Sequence, residues 1–472
     1  MRLANSYYNK RSSKMSVMRK SYNLPSLPIC LFVLCLSALG CGGKEKITAP
    51  VEAPSTPSTP STPSTPSTPT TPAKIEVPTA YTFDSRFQAG KSSVSYGGQV
   101  VRQLLIQDLK IFMGNLGKDG ATPATLQDLL NFYDHDDALS LQTLTTAGLP
   151  IVETTYASIS SGKNLVGKIS ADIVIGSGGK TADDLIRGWF DIVVANSQDP
   201  AKLGTPAVYT TDAGLDLSQM VNKLLIGAVS YAQATSKYFA VLLDQDNTVA
   251  RNGTDAYTAM EHYWDESFGY FGAARDYARY SDEQLAGKSA DDFTFDSNGD
   301  GQIDLKSEYN FGLSRNAGKR DKGGSGVDFT KEIFDAYLAG RTAITNEGTV
   351  AEISTHRQIA AEGMEKVIAA TAVHYINDTL ADMANIGTAD ENAVNHNKHW
   401  AEMKAFTMAL QYNSFGKITS ADLEQLHTLM GDAPKYDAPG TAAYDATVAD
   451  LNAAAVIFQN VYGFSAANVA GW

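Results

Sequence analysis

The sequence predicts an all-α fold of two packed helical bundles, preceded by an exported leader and a Pro-rich stalk. Three observations carry that expectation. Apolar residues recur at helical spacing through most of residues 81–472, alternating patterns are confined to two short stretches, and all three cysteines lie at or before residue 41. A repeat of about 3.6 residues puts apolar side chains on one face of a helix, where they can be buried together. With no cysteine past residue 41, the folded part has no disulfide and no thiolate-bound metal, so its stability rests on its core.

The helices follow in order. Val100, Val101, Leu104, Leu105, Leu109 and Phe112 form the first stripe. Thr122-Pro123 predicts a second start, because proline suits the first helical turn, and Leu126, Leu129, Leu130 and Phe132 follow it. Thr181-Ala182-Asp183-Asp184 reads as a capping box ahead of Leu185, Ile186, Trp189, Phe190, Ile192 and Val193. The same spacing predicts helices over 216–243, 257–280, 329–344, 351–384, 394–412, 420–430 and 442–462. Residues 151–159 and 168–175 are the only plausible strands, as a small hairpin. Asp199-Pro200 and Gly204-Thr205-Pro206 interrupt the pattern. They divide an N-terminal bundle, residues 81–210, from a C-terminal one, residues 211–472.

Residues 1–40 carry Arg2, Lys10, Arg11, Lys14, Arg19 and Lys20 and no acid, then an apolar run over 27–39 broken only by Pro28 and Ser37. That run has the length of a signal peptide and is short for a bilayer span. It ends Ser37-Ala38-Leu39-Gly40-Cys41, small residues before a cysteine, which predicts cleavage before Cys41 and lipidation of its thiol. Ordinary signal cleavage, with Cys41 a bystander, is the alternative. Gly42 after the cysteine points to the outer membrane, where an Asp would signal inner-membrane retention. Residues 41–80 form a linker in which Ser-Thr-Pro repeats five times over 55–69. Such a segment builds no core and favours extended polyproline II.

Removing the leader takes six positive charges from a net charge of −14 and leaves −20. A surface that acidic excludes nucleic acid and electrostatic adhesion to anionic lipid, and it suits cation binding. Membrane attachment then falls to the lipid on Cys41.

Three segments carry candidate chemistry. In Glu261-His262-Tyr263-Trp264-Asp265-Glu266, His262 shares a helix face with Asp265 and Glu266, a pattern for a metal ligand set, a proton relay, or a core histidine bonded to its own helix. In His396-Asn397-Lys398-His399-Trp400-Ala401-Glu402, His399 and Glu402 share a face in the same way. Were the two helices to meet, their ligands would converge on one transition metal. Asp296-Ser297-Asn298-Gly299-Asp300-Gly301-Gln302-Ile303-Asp304 follows the calcium-loop spacing. Its oxygens come from Asp296, Asn298, Asp300, the Gln302 carbonyl and Asp304, with Gly301 at the sharp turn. The twelfth position is Ser307, so Glu308 must reach in from one residue later. An Asp/Asn/Gly turn without metal is the alternative. No nucleophile elbow, phosphate loop, dinucleotide fingerprint or HExxH motif occurs.

Tyr81-Thr82-Phe83, Ser93-Val94-Ser95-Tyr96-Gly97-Gly98-Gln99, Arg102, the segment from His262 to Gly272, and Lys398 to Lys404 resemble a family of bacterial lipoproteins of unknown function that is similar to the imelysin-like, peptidase M75-related proteins. The resemblance covers nearly all of 81–472. It implies two related helical bundles with a site between them, and an association with iron uptake or, for some members, peptidase activity. The Gly-x-His-x-x-Glu motif of imelysin-like proteins is altered here. Met260 stands in the glycine position of the first cluster and Asp265 in that of the acid, while His399 and Glu402 keep the spacing without the glycine.

These observations lead to three expected functions. The first is an outer-membrane-tethered binding lipoprotein for metal, iron above all, working with an uptake receptor. The others are a calcium-stabilised surface interaction module and a metal-dependent peptidase.

Overall fold

A computed structural model describes residues 74–142, 148–324 and 326–472. The predicted signal peptide, Cys41 and the Ser-Thr-Pro repeats lie outside the described residues. Ordered packing already starts at Ile75, whose backbone N–H and carbonyl both pair with the Asn346 side-chain amide.

The described residues carry fourteen α-helices and no strand. They are α1 (Gly97–Asn115), α2 (Leu126–Leu130), α3 (Tyr156–Ser160), α4 (Ala182–Ser197), α5 (Leu217–Leu225), α6 (Ala259–Phe271), α7 (Asp282–Ala286), α8 (Gly312–Gly323), α9 (Phe329–Thr345), α10 (Val350–Ala384), α11 (Ala393–Ala409), α12 (Ser420–Met430), α13 (Ala442–Tyr462) and α14 (Ala466–Gly471). The all-α class is thus what forms. The expected hairpin is corrected. Thr155 and Ser158 build a capping box that starts α3 inside 151–159, and Ile151 and Ile173 make only single bridges, to Ile303 and Thr181. The second helix also begins later than Pro123, because Thr125 and Asp128 cap each other at its start.

Capping fixes several boundaries directly. Thr181 and Asp184 cap α4 as expected, Thr258 and Glu261 cap α6, and Thr419 and Asp422 cap α12. The side-chain oxygen satisfies a backbone N–H that has no partner within the helix. Gly272, at φ 81°, stops α6 in the left-handed conformation that glycine adopts without a Cβ penalty.

One apolar core runs from Tyr81 to Trp472. At its centre α10 lies between α9 and α11, and Gly363 lets α9 approach so closely that a Cβ there would stand 2.4 Å from Ile333. Every residue of α5 is buried, against α1, α4 and α11. The chain continues from α5 as π-helical turns over Ile226–Tyr231 and Gln233–Phe239, whose last segment packs on α6. No helix among the described residues is long and apolar enough to cross a membrane.

Candidate functional site

Helix α6 presents its charged residues to two different environments. His262 Nε2 lies 3.1 Å from Glu266 Oε1, and its ring stacks on Tyr257 at 4.8 Å. Burial raises the Glu266 carboxyl, but hydrogen bonds from His262 and Tyr238 more than offset it and hold the group below its ordinary value. Asp265 points the other way. Its Oδ1 accepts from Arg341 Nε at 3.0 Å and from the Tyr81 hydroxyl at 2.8 Å, while Arg341 Nη1 reaches Glu261 at 3.0 Å. Arg341, Glu261 and Asp265 have no exposed side-chain surface. Burial outweighs Arg341 at Asp265 and raises its carboxyl. At Glu261 burial is overcome because Arg86 adds a second cation, 3.3 Å away. Asp265 is therefore committed to an internal ion cluster.

Helix α11 divides its residues similarly. Glu402 turns inward to Lys223 of α5 at 3.2 Å. Burial raises it, yet Lys223 and Lys110 dominate and hold it at about 2. His399 turns toward α10, where Nδ1 lies 2.7 Å from Asp382 Oδ2 and Nε2 lies 3.7 Å from Asp378 Oδ2. On the same side His374 Nε2 lies 3.3 Å from that Asp378 oxygen, and its Nδ1 bonds the Trp472 carbonyl. His396 is elsewhere, buried with Nε2 on the Lys435 carbonyl at 2.9 Å. Among the described residues no hydrogen bond, ion pair or ring contact joins His262 and Glu266 to His399.

The second histidine of the α10–α11 cluster is one the sequence reasoning missed. His374, Asp378 and Asp382 recur every four residues along α10, the spacing of a single helix face. Both imidazoles are oriented alike. A carbonyl accepts only, so His374 Nδ1 carries the proton there, and Asp382 fixes His399 in the same tautomer. Each Nε2 faces the same Asp378 oxygen. Such outer partners are what hold imidazoles as metal ligands. Burial and then Arg320 lower the His374 pKa, favouring the neutral ring that binds metal. As the side chains stand, no group of three His, Cys, Asp or Glu among the described residues is arranged to hold a metal ion.

The loop over 296–308 is drawn tight by its own acids. Asp296 accepts from the N–H groups of Gly299, Asp300 and Gly301, at 2.7, 3.2 and 2.9 Å. Glu308 reaches back into the loop, accepting from Ser297 N at 2.8 Å and Asp304 N at 2.9 Å. Asn298 Nδ2 donates to Asp300 at 3.1 Å, Gln302 N to Asp300 at 2.9 Å, and Gly301 turns the loop at φ 81°.

No curated protein and no solved structure matches the chain. Residues 78–414, most of the described helices, match the model of a domain of unknown function, DUF4856, and the chain belongs to that family.

Proposed function

We propose that the chain is an envelope-tethered binding lipoprotein of imelysin type that captures a metal ion, iron first, through His374, Asp378 and His399. The observation that carries this reading is the pair of oriented Nε2 atoms, 3.3 and 3.7 Å from one Asp378 oxygen. Two imidazoles and one carboxylate are the donor set of many non-haem iron sites. The cluster is only partly buried, which leaves a path for the ion. The acidic mature charge would concentrate cations around it. Lipidation at Cys41 and the stalk would hold it away from the outer membrane, where an uptake receptor is the expected partner.

The test is metal uptake by the chelator-stripped mature chain, read by calorimetry with Fe(II) and Zn(II). One ion should bind, and H374A and H399A should each weaken it by more than the roughly 10- to 100-fold that loss of a ligand's outer partner costs. H262A should leave it unchanged. Undiminished binding in both H374A and H399A overturns the reading.

A second reading has its own observation. Glu308 is folded into the loop over 296–308, where the calcium spacing needs its late carboxylate. A calcium ion there would staple a long surface loop of an interaction module. A melting temperature that does not move between calcium and chelator removes it.

A further inference from the structure

Helices α1, α5 and α8, with the turn over 288–293, enclose a cavity of about 530 Å³. Its walls carry Lys110, Lys223, Lys288, Arg315 and Lys319, and no Asp or Glu among the described residues lines it. In a chain with 52 acidic and 38 basic residues, that concentration of one sign is against composition. The nearby carboxylates stand behind the walls: Glu402 approaches Lys223 from α11 at 3.2 Å, and Asp292 and Asp216 act on Arg315 and Lys110 from further off.

The protein satisfies these cations unequally. Arg315 donates to the Gly287 carbonyl at 2.6 Å and lies over the Phe293 ring at 3.5 Å. Lys223 has Glu402 and, at 3.0 Å, Asn222 Oδ1. Lys110 and Lys319 have no carboxylate within ion-pair distance among the described residues. Like charges gathered in a partly desolvated space repel each other, and burial adds to the cost of all but the exposed Lys288. Burial and the neighbouring cations accordingly depress both amines, Lys319 to about 7. An anion bound among them would relieve that repulsion and favour the charged amines.

We infer that this cavity is a binding site for a small organic polyanion, one carrying two or more carboxylate or phosphate groups. Multiple charge follows from the five cationic side chains that share one wall with no acid between them. Small size follows from the enclosing walls, and from an acidic exterior that repels nucleic acid and anionic membrane. Organic character follows from the volume, which falls within the roughly 300–1,000 Å³ of small-molecule sites, and from the apolar wall that Phe293 and Tyr309 provide. The cavity uses none of the proposed metal ligands, so the two sites stand or fall separately.

The test is calorimetry on the metal-stripped mature chain at slightly acidic pH and constant ionic strength. Citrate and pyrophosphate are the probes, and chloride and acetate the controls. One of the two probes should bind saturably at one site, which also tells carboxylate from phosphate preference. K110Q and K319Q should each weaken it by about tenfold or more, the loss of one charge-assisted contact. In chloride alone, both variants should melt no lower than the parent, because they relieve repulsion. Three outcomes overturn the inference: no saturable binding of either probe at millimolar concentration, full binding in both variants, or both variants melting several degrees lower, which would mean that the lysines are paired within the protein.

Discussion

Arg341 and Lys223 are both buried cations, and they have opposite surroundings. Arg341 meets two carboxylates, Glu261 and Asp265, and donates to Ser93 Oγ as well. Its guanidinium is enclosed on every side, so the cluster between α6 and α9 is complete as built. Lys223 shares one carboxylate, Glu402, with a cavity wall that holds four further cations. Buried charge that is matched internally specifies a fold, whereas buried charge left in excess beside an open volume is available to something else. The two regions separate architecture from binding within one helical core.

Removing each charge in turn tests that separation. R341M leaves Asp265 without its cation and Glu261 with Arg86 alone, so it should cost about 3–5 kcal/mol in urea unfolding and leave citrate and pyrophosphate binding unchanged wherever the variant is folded. E402Q strips Lys223 of its partner at the edge of a wet cavity. It should cost somewhat less, about 3 kcal/mol, and should strengthen anion binding by raising the excess charge. A stability loss with no gain in affinity would erase the contrast between the regions.

The same carboxylate gives a pH signature. Glu402 is held at about 2 against an ordinary 4.5, so its contribution to stability is present above about pH 4.5 and is lost as pH falls toward about 2. E402Q should flatten that part of the acid-unfolding curve. Lys319 acts in the other range. It faces Arg315 on its own helix, Lys110 on α1, Lys223 on α5 and, with opposite sign, Glu402 on α11. With its value near 7, it is charged below neutral pH and loses its proton above. Anion affinity should therefore fall as pH rises through about 7, and K319Q should remove most of that slope. The smallest effect is expected at His262. H262A breaks one helix-local contact to Glu266 and should cost about 1 kcal/mol, with metal uptake intact.

The helices were legible because their signals are local. Thr181 with Asp184, and Ser420 to Met430, are read directly from capping and periodicity. Helix α8 was not, since Gly312-Leu313-Ser314-Arg315-Asn316-Ala317-Gly318 has little apolar periodicity and is helical through its packing on α7, α9 and α10. Within the candidate sites, shared faces such as that of His262 with Glu266 could be predicted, but partners from distant segments could not. That Asp265 belongs to Arg341, 76 residues away, and Glu402 to Lys223 depends on tertiary packing alone. His374, Asp378 and Asp382 did carry a readable signal in their fourfold spacing. Their value becomes visible only when His399 from the next helix faces them. The cationic cavity left no local trace, because its lysines and arginine are spread from residue 110 to residue 319.

The π-helical turns after α5 have a consequence for tolerance to deletion. Each holds one residue more than an α-turn would, as a π-bulge does. Removing the extra residue from Ile226–Tyr231 would let the α-helical repeat resume with both flanking segments in phase, whereas a residue lost from an α-helical turn would rotate everything beyond it by about 100°. Lys223, upstream, would keep its place beside Glu402, and Tyr238, downstream, would keep its place beside Tyr263 and Tyr270. The chain thus has a phase joint between its cavity wall and the His262 face, one that would absorb a lost codon where an α-helical turn would not.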